Sequence, residues 1–361
     1  MKAIQRLHER GQNLWQSHIT RGQLNSGGIK QNIGEGSLSG LIFNPKLYED
    51  AIKNSSVYDA DIRKKMKLVK LGEELFLDLA LEDIRLAADL LRPFYDQTAG
   101  VDGWVSFEVS PLIVHDTDYT LDAALDLYSR LQRPNLLIGI PGTRDGLPAV
   151  EEAIFAGVPV NVTLLFSWAQ YLAAAEAFLR GIERRVAAGL KPNVASVASI
   201  SVCRWDAAAA DKVPEELRNQ LGIAVARRTY KVYRELLHSR RWHRTREAGV
   251  RPQRLLWSDT EVSDADIPED FYIKALVAPF TVVSMSERTL NALSDRDEIG
   301  DLMTEDGGDC EAVLGRFAEA GIDIDSLAFG LQNEEATSAV KDWIDLMSAL
   351  ASKSAALWQF A

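Results

Sequence analysis

Polar side chains recur near the carboxyl-terminal ends of the apolar, β-like segments of this 361-residue sequence. Hydroxyl, amide and carboxylate groups can hold a small polar molecule, and a carboxylate can also move protons in general acid–base catalysis. If these ends meet in the fold, the groups form one site. The set consists of Ser17, Asn44, Glu108, Asn161, Thr163, Ser199 and Asp259.

Glu108 is the strongest candidate for proton transfer within this set. Its neighbours Phe107 and Val109 are apolar, and burial of an unpaired carboxylate is costly. A site role therefore explains Glu108 better than a surface position does. His18 could also transfer protons near neutral pH, although a lone histidine beside a turn is more often structural or solvated.

The elements that must position these groups are short β-like runs alternating with longer amphipathic helices. Such alternation indicates an α/β fold with a parallel sheet and right-handed crossovers. Eight candidate strands favour a single (β/α)8 barrel domain over residues 1–361, with extra helices after residue 286. Chemistry in such barrels lies at the carboxyl-terminal ends of the strands. The strands are expected at 14–17, 38–44, 103–110, 135–140, 158–166, 193–202, 253–259 and within 271–285.

The composition of the chain limits the kinds of molecule that the protein is expected to bind. A net charge of −12 argues against nucleic acid, and no run of 18 apolar residues indicates a membrane span. The two cysteines, Cys203 and Cys310, form no disulfide framework, so a cytoplasmic protein is expected. No dinucleotide, P-loop or zinc motif is present. We therefore expect a small-molecule substrate, no cofactor and no metal.

Several longer segments resemble the transaldolase family, and specifically its longer bacterial branch. They are WVSFEVSP (104–111), residues 140–167 beginning IPGTRDG, and VASISVCRWD (197–206), with weaker likeness in GLIFNPKLYEDAI (40–52) and RLLWSDT (254–260). The resemblance implies a class I aldolase-type barrel. In that family a lysine amine forms a Schiff base with a ketose phosphate and transfers a dihydroxyacetone unit to an aldose phosphate.

The resemblance also implies roles for individual residues. Glu108 matches the family's acid/base, and Arg204 matches its phosphate-binding arginine. The resemblance also implies that the chain could form a homodimer, because dimers are usual in the family. Further matches to the family's site positions are Asn44, Asn161, Thr163 and Ser199.

Other family positions are occupied by different residues. Gly139 stands where the resemblance places the nucleophilic lysine, and glycine offers no amine for a Schiff base. Ser17 replaces the first-strand aspartate, and His18 replaces the asparagine beside it. The family's usual mechanism by its usual residue is therefore excluded.

The region that would hold phosphate is also changed. Asp259 replaces a serine, and Ser263 replaces a basic residue. A carboxylate close to a phosphate dianion is repulsive, by about 4 kcal/mol for two unit charges at about 4 Å and an effective dielectric constant of about 20. We therefore expect a substrate that is neutral, or cationic at the Asp259 end.

Three hypotheses for function remain open. The favoured one is a repurposed enzyme that performs non-covalent acid–base chemistry on an unphosphorylated, sugar-like intermediate of specialised metabolism. The second is a catalytically silent protein that binds a ligand or partner through the same site. The third is a transaldolase with a relocated lysine, Lys46 or Lys274, although both are expected to be solvated surface residues.

Overall fold

The computed structural model describes residues 2–17, 19–68, 70–262, 266–294 and 296–358. Eight parallel strands form a closed barrel in chain order, with the last strand paired to the first. This confirms the predicted (β/α)8 barrel. The strands are β1 (Gln12–Ser17), β2 (Gly40–Phe43), β3 (Trp104–Glu108), β4 (Leu136–Pro141), β5 (Val160–Leu165), β6 (Ser196–Ser201), β7 (Arg254–Ser258) and β8 (Thr281–Met285).

Helices surround the barrel and continue beyond β8, as predicted. They are α1 (Lys2–Glu9), α2 (Arg21–Ser26), α3 (Gly28–Gly34), α4 (Pro45–Asn54), α5 (Asp59–Met66), α6 (Gly72–Gln97), α7 (Thr117–Leu131), α8 (Gly146–Ala156), α9 (Trp168–Ala187), α10 (Cys203–Ala209), α11 (Leu221–Leu237), α12 (Arg240–Glu247), α13 (Phe271–Ala275), α14 (Glu287–Ser294), α15 (Cys310–Glu319) and α16 (Ile324–Trp358). None of the helices in the described ranges combines the length and hydropathy needed to cross a bilayer.

Local sequence signals explain several helix ends. Ser167 caps α9 through a reciprocal pair of hydrogen bonds with Gln170, which satisfies backbone N–H groups that the first turn leaves free. Gly157 ends α8 in the left-handed conformation, at φ 96°.

Two expectations about the elements were wrong. Residues 64–95 have apolar side chains every three or four positions, a pattern that predicts one helix, but α5 ends at Met66 and α6 begins at Gly72. The eighth strand lies within 271–285 as expected, at Thr281–Met285, but the segment FYIKAL (271–276), interpreted as part of that strand, is mostly the helix α13. A short apolar run fits a buried helix turn as well as a strand, so periodicity cannot separate the two.

The barrel interior changes character along its axis. Its amino-terminal half contains a buried apolar cluster, which fills the space between the strands as expected for a barrel of this size. Alternation along β3 places Trp104, Ser106 and Glu108 on one face, so the interior becomes polar towards the carboxyl-terminal end. The cluster consists of Trp15, Trp104, Leu137, Val197, Leu256 and Val282.

The long C-terminal helix α16 lies against the carboxyl-terminal end of the barrel. Gln332 fixes it there, because its Nε2 donates to the carbonyl oxygen of Leu164 at 2.8 Å and to that of Gly142 at 3.2 Å. The Gly142 carbonyl follows the end of β4, and the Leu164 carbonyl lies within β5. The helix can therefore contribute side chains to the space above the strands.

Candidate active site

A cavity of about 190 Å³ opens at the carboxyl-terminal ends of the strands, and we call it the mouth cavity. It brings together seven polar residues that the sequence pointed to, and α16 adds three residues to its wall. The lining comprises Ser17, Ile42, Phe43, Asn44, Pro45, Glu108, Val109, Pro111, Asn161, Thr163, Leu164, Leu165, Phe166, Ser199, Ser201, Ser258, Asp259, Thr260, Glu261, Ser284, Glu335, Ala339 and Asp342.

Gly139 and Glu108 are neighbours across the β3–β4 pairing. A Cβ atom built on Gly139 would lie 2.5 Å from Cγ of Glu108 and 3.0 Å from its Cα. Both separations are too short for carbon atoms in van der Waals contact. The Glu108 side chain therefore occupies the volume into which any side chain at position 139 would grow.

The Glu108 carboxyl group lies in an environment that disfavours its charge. Burial raises its pKa to about 7, and the nearby carboxylates of Glu335 and Asp259 add to the increase. No hydrogen bond from a described residue reaches this carboxyl group. Both of its protonation states are therefore populated near neutral pH, which suits a general acid or base.

A chain of hydrogen bonds forms the floor of the mouth cavity. Ser199 Oγ donates to Asn161 Oδ1 at 2.6 Å, and Asn161 Nδ2 donates to Ser106 Oγ at 3.0 Å. Each group orients the next, so the amide of Asn161 has a fixed direction. Ser106 is fully buried and was not among the sequence candidates.

Thr163 lies where β5 departs from regular pairing. The register with β6 shifts between Val162 and Leu165, and Leu164 adopts φ 57°. Irregularities of this kind re-aim side chains near functional sites. Thr163 lines the mouth cavity, and its buried Oγ1 has no hydrogen-bond partner among the described residues.

Asp259 and Arg204 lie on one side of the site. Asp259 accepts a hydrogen bond from a neighbouring side chain, and Arg204 forms an ion pair with another. Ser201 Oγ donates to Asp259 Oδ2 at 2.6 Å. Arg204 Nη2 lies 2.7 Å from Glu335 Oε2. Burial raises the pKa of Glu335, and Asp259 adds to the increase while Arg204 opposes it. The guanidinium expected to face an anion therefore faces a carboxylate of α16.

Neither candidate lysine lines the mouth cavity. Asn44 caps α4 by accepting from the backbone N–H of Lys46 at 2.9 Å, and the Lys46 side chain is 61% exposed, with its Nζ 4.0 Å from Asp342. Lys274 lies in α13 rather than in a strand, with its Nζ 2.9 Å from Asp270. The next residue but one, Leu276, accepts from Gln12 at the start of β1, so Lys274 is near the opposite end of the barrel.

Two of the sequence candidates, His18 and Ser263, lie outside the described residues.

Other residues of the site were not identified from the sequence. Alternate hydroxyl residues on single strands, as in SIS at 199–201, were a usable signal for some of them, but nothing local marked the residues of α16. Those missed are Ser106, Ser201, Ser258, Thr260, Ser284, Glu335 and Asp342. Within the described ranges, no group of three or more His, Cys, Asp or Glu side chains is arranged to hold a metal ion.

Residues 23–350 match the family model described as Transaldolase/Fructose-6-phosphate aldolase. The chain belongs to the transaldolase family. It is 36% identical to a transaldolase of Parafrankia sp. (strain EAN1pec), with 97% of each chain covered, and 37% identical to one of Thermobifida fusca (strain YX), with 98% of each covered. "Transaldolase 2" of Nostoc punctiforme is 33% identical, with 95% of each covered. The resemblance seen in the sequence is confirmed as membership of the transaldolase family.

Proposed function

We propose that this transaldolase-family protein is an enzyme that uses Glu108 to transfer protons on an unphosphorylated, sugar-like substrate, without a covalent lysine intermediate. One observation carries the proposal. The Glu108 side chain fills the space beside Gly139, and its carboxyl group, with a pKa of about 7, borders the mouth cavity.

The chemistry available to such a carboxyl group is general acid–base catalysis. It can remove a proton from a hydroxyl group or from carbon beside a carbonyl, and then return it, with a rate gain of roughly 10² to 10⁴. Asn161 and Ser199 would orient substrate hydroxyls on the floor below. A Schiff base needs a primary amine, and no lysine is among the described lining residues.

The charges of the site argue against a phosphorylated substrate. A phosphate group close to Arg204 would meet the Glu335 carboxylate, which lies 2.7 Å from the guanidinium, and would also approach Asp259. Unit charges about 4 Å apart at an effective dielectric constant of about 20 repel by about 4 kcal/mol. An uncharged hydroxyl group has no such penalty.

Proton exchange tests the catalytic part with simple carbonyl compounds in place of the natural substrate. Dihydroxyacetone and fructose are incubated with the protein in D₂O, and loss of the C–H signals beside the carbonyl is followed by NMR. We expect exchange above the buffer rate, and a decrease of roughly 10² to 10⁴ in E108Q. E334Q, which changes an exposed carboxylate on α16, should exchange like the wild type. Exchange at the buffer rate would contradict an enzymatic role and leave the binding hypothesis.

A ligand panel tests the substrate class. Thermal stabilisation is compared for fructose against fructose 6-phosphate and for sorbitol against sorbitol 6-phosphate, and we expect the unphosphorylated member of each pair to stabilise more. Borohydride reduction with fructose 6-phosphate, followed by peptide mass analysis, should give no adduct at Lys46 or Lys274. Preferred stabilisation by phosphates, or an adduct at either lysine, would restore the relocated-lysine hypothesis.

A further inference from the structure

We infer that the ligand of the mouth cavity carries a protonated amine in addition to hydroxyl groups. The inference rests on the proposed function in one respect, because it takes this cavity to be the substrate site. It adds the chemical class of the substrate.

The charge lining the cavity is negative. The described lining residues include no lysine, arginine or histidine. Arg204 pairs with Glu335, and Lys46 is 4.0 Å from Asp342, but no lysine or arginine of the described residues lies within ion-pair distance of Glu108 or Asp259. The carboxylates that line the cavity are Glu108, Asp259, Glu261, Glu335 and Asp342.

Four hydroxyl groups of the wall already donate their proton within the protein. A hydroxyl carries one proton, and Ser201 gives its proton to Asp259 while Ser199 gives its proton to Asn161. Thr260 donates to the carbonyl oxygen of Ser284 at 2.7 Å, and the Ser284 hydroxyl donates to the backbone of β7 at 3.2 Å. These hydroxyls can therefore offer a ligand only lone pairs, so the wall is rich in acceptors.

Thr163 gives an independent indication of a ligand. Only 6% of this residue is exposed, it lines the cavity, and its Oγ1 has no hydrogen-bond partner among the described residues. Leaving a buried hydroxyl group without a hydrogen bond costs free energy. A hydrogen bond to a bound molecule would recover this free energy.

An ammonium group satisfies both features of the wall. It carries three donors and no acceptor, and its positive charge offsets the carboxylates that Glu108 faces. A neutral polyol supplies donors but leaves the charge in place. We therefore expect an amine to bind at least about tenfold more tightly than the matching alcohol, which corresponds to about 1.4 kcal/mol.

Isothermal titration calorimetry with glucamine and sorbitol tests the inference, because these hexitol derivatives differ only in an amine or a hydroxyl at C1. We expect glucamine to bind at least about tenfold more tightly, with the ratio falling as salt is added. D259N should weaken glucamine binding about tenfold and sorbitol binding by a much smaller factor. Asparagine tolerates the left-handed backbone at this position, φ 49°, and can still accept from Ser201, so the variant removes mainly the charge.

E334Q is the matched control, since it removes one negative charge from the protein at an exposed position of α16. It should leave the ratio unchanged. An equal loss in E334Q and D259N would mean that only the overall charge attracts the amine and would overturn the site. Sorbitol binding as tight as that of glucamine, or no glucamine binding at millimolar concentration, would overturn the inference but not the proposed function. Tighter binding of sorbitol 6-phosphate than of either would overturn both.

Discussion

The two ends of the barrel interior differ in how they hold charge. At the amino-terminal end, Arg254 Nη2 lies 3.0 Å from Asp102 Oδ1, and Asn13 Nδ2 donates to the other oxygen of Asp102 at 2.7 Å. At the carboxyl-terminal end, Glu108 and Asp259 face the mouth cavity without a basic partner among the described residues.

This difference distinguishes charged groups that stabilise the fold from charged groups that do not. A buried charge that loses its partner destabilises a fold strongly, so the paired cluster at the amino-terminal end fits a structural role. Carboxylates that repel one another cannot be there for stability. Their position at the carboxyl-terminal ends of barrel strands, where catalytic groups lie, favours a role in binding and proton transfer.

The largest expected effect on stability is at the amino-terminal end of the barrel, where Asp102 pairs with Arg254. D102A leaves the Arg254 guanidinium buried with only weaker partners, and we expect a loss of about 3–5 kcal/mol in the free energy of unfolding. Urea titration monitored by circular dichroism measures it. D89A is the matched control, because it removes an exposed ion pair with Arg133 and should cost less than about 1 kcal/mol. Equal losses of stability in D102A and D89A would mean that the buried ion pair contributes no more than the exposed one.

E108Q should act in the opposite direction and in a pH-dependent way. Because folding raises the pKa of Glu108 from its ordinary 4.5 to about 7, the folded protein binds this proton more tightly than the unfolded chain. The contribution of Glu108 to stability is therefore present below about pH 4.5 and lost as pH rises through about 7.

The shift corresponds to at most about 3 kcal/mol. Relative to the wild type, E108Q should therefore gain about 1–3 kcal/mol between about pH 4.5 and about pH 8. Glu335 and Asp259 also face this site, and they remain in both proteins. Urea titrations at the two pH values give the difference, and a gain that is the same at both would show that Glu108 titrates normally.

A pair of glycine substitutions tests the tight contact beneath the cavity. G139A places a methyl group against Glu108, and we expect a loss of about 1–3 kcal/mol. Gly315 in α15 is exposed, and a Cβ there meets no atom within 4 Å. G315A should therefore gain about 0.4–1 kcal/mol. Thermal melts of both proteins suffice, and stabilisation by G139A would mean that Glu108 can readily move aside.

The smallest effect is expected at the ion pair between Arg204 and Glu335. E335Q keeps a hydrogen-bonding group beside the guanidinium but removes its charge, so stability should change by less than about 1 kcal/mol. Thermal stabilisation by inorganic phosphate should increase relative to the wild type, since Arg204 becomes available to an anion. An unchanged response to phosphate would mean that Glu335 does not control access to Arg204.

Much of the architecture was predictable from local sequence. Each barrel strand appeared as a short apolar run, because the interior face and the face covered by helices are both buried. The capping serine of α9 and the terminal glycine of α8 were equally readable. The break between α5 and α6 and the helix at 271–275 were not, because short apolar stretches suit either kind of element.

The site was predictable only in part. Glu108, Asn161 and Thr163 follow from polar residues at strand ends, and closure of the barrel brings them together. Glu335 has no local signature, since it belongs to a helix far along the chain that lies over the mouth cavity. Likewise, the sequence shows only that position 139 is a glycine where the family has a lysine. The β3–β4 pairing shows that the Glu108 side chain fills the space beside Gly139. Periodicity depends on residues a few positions apart, whereas the charge around Glu108 depends on contacts that form only when distant segments pack together.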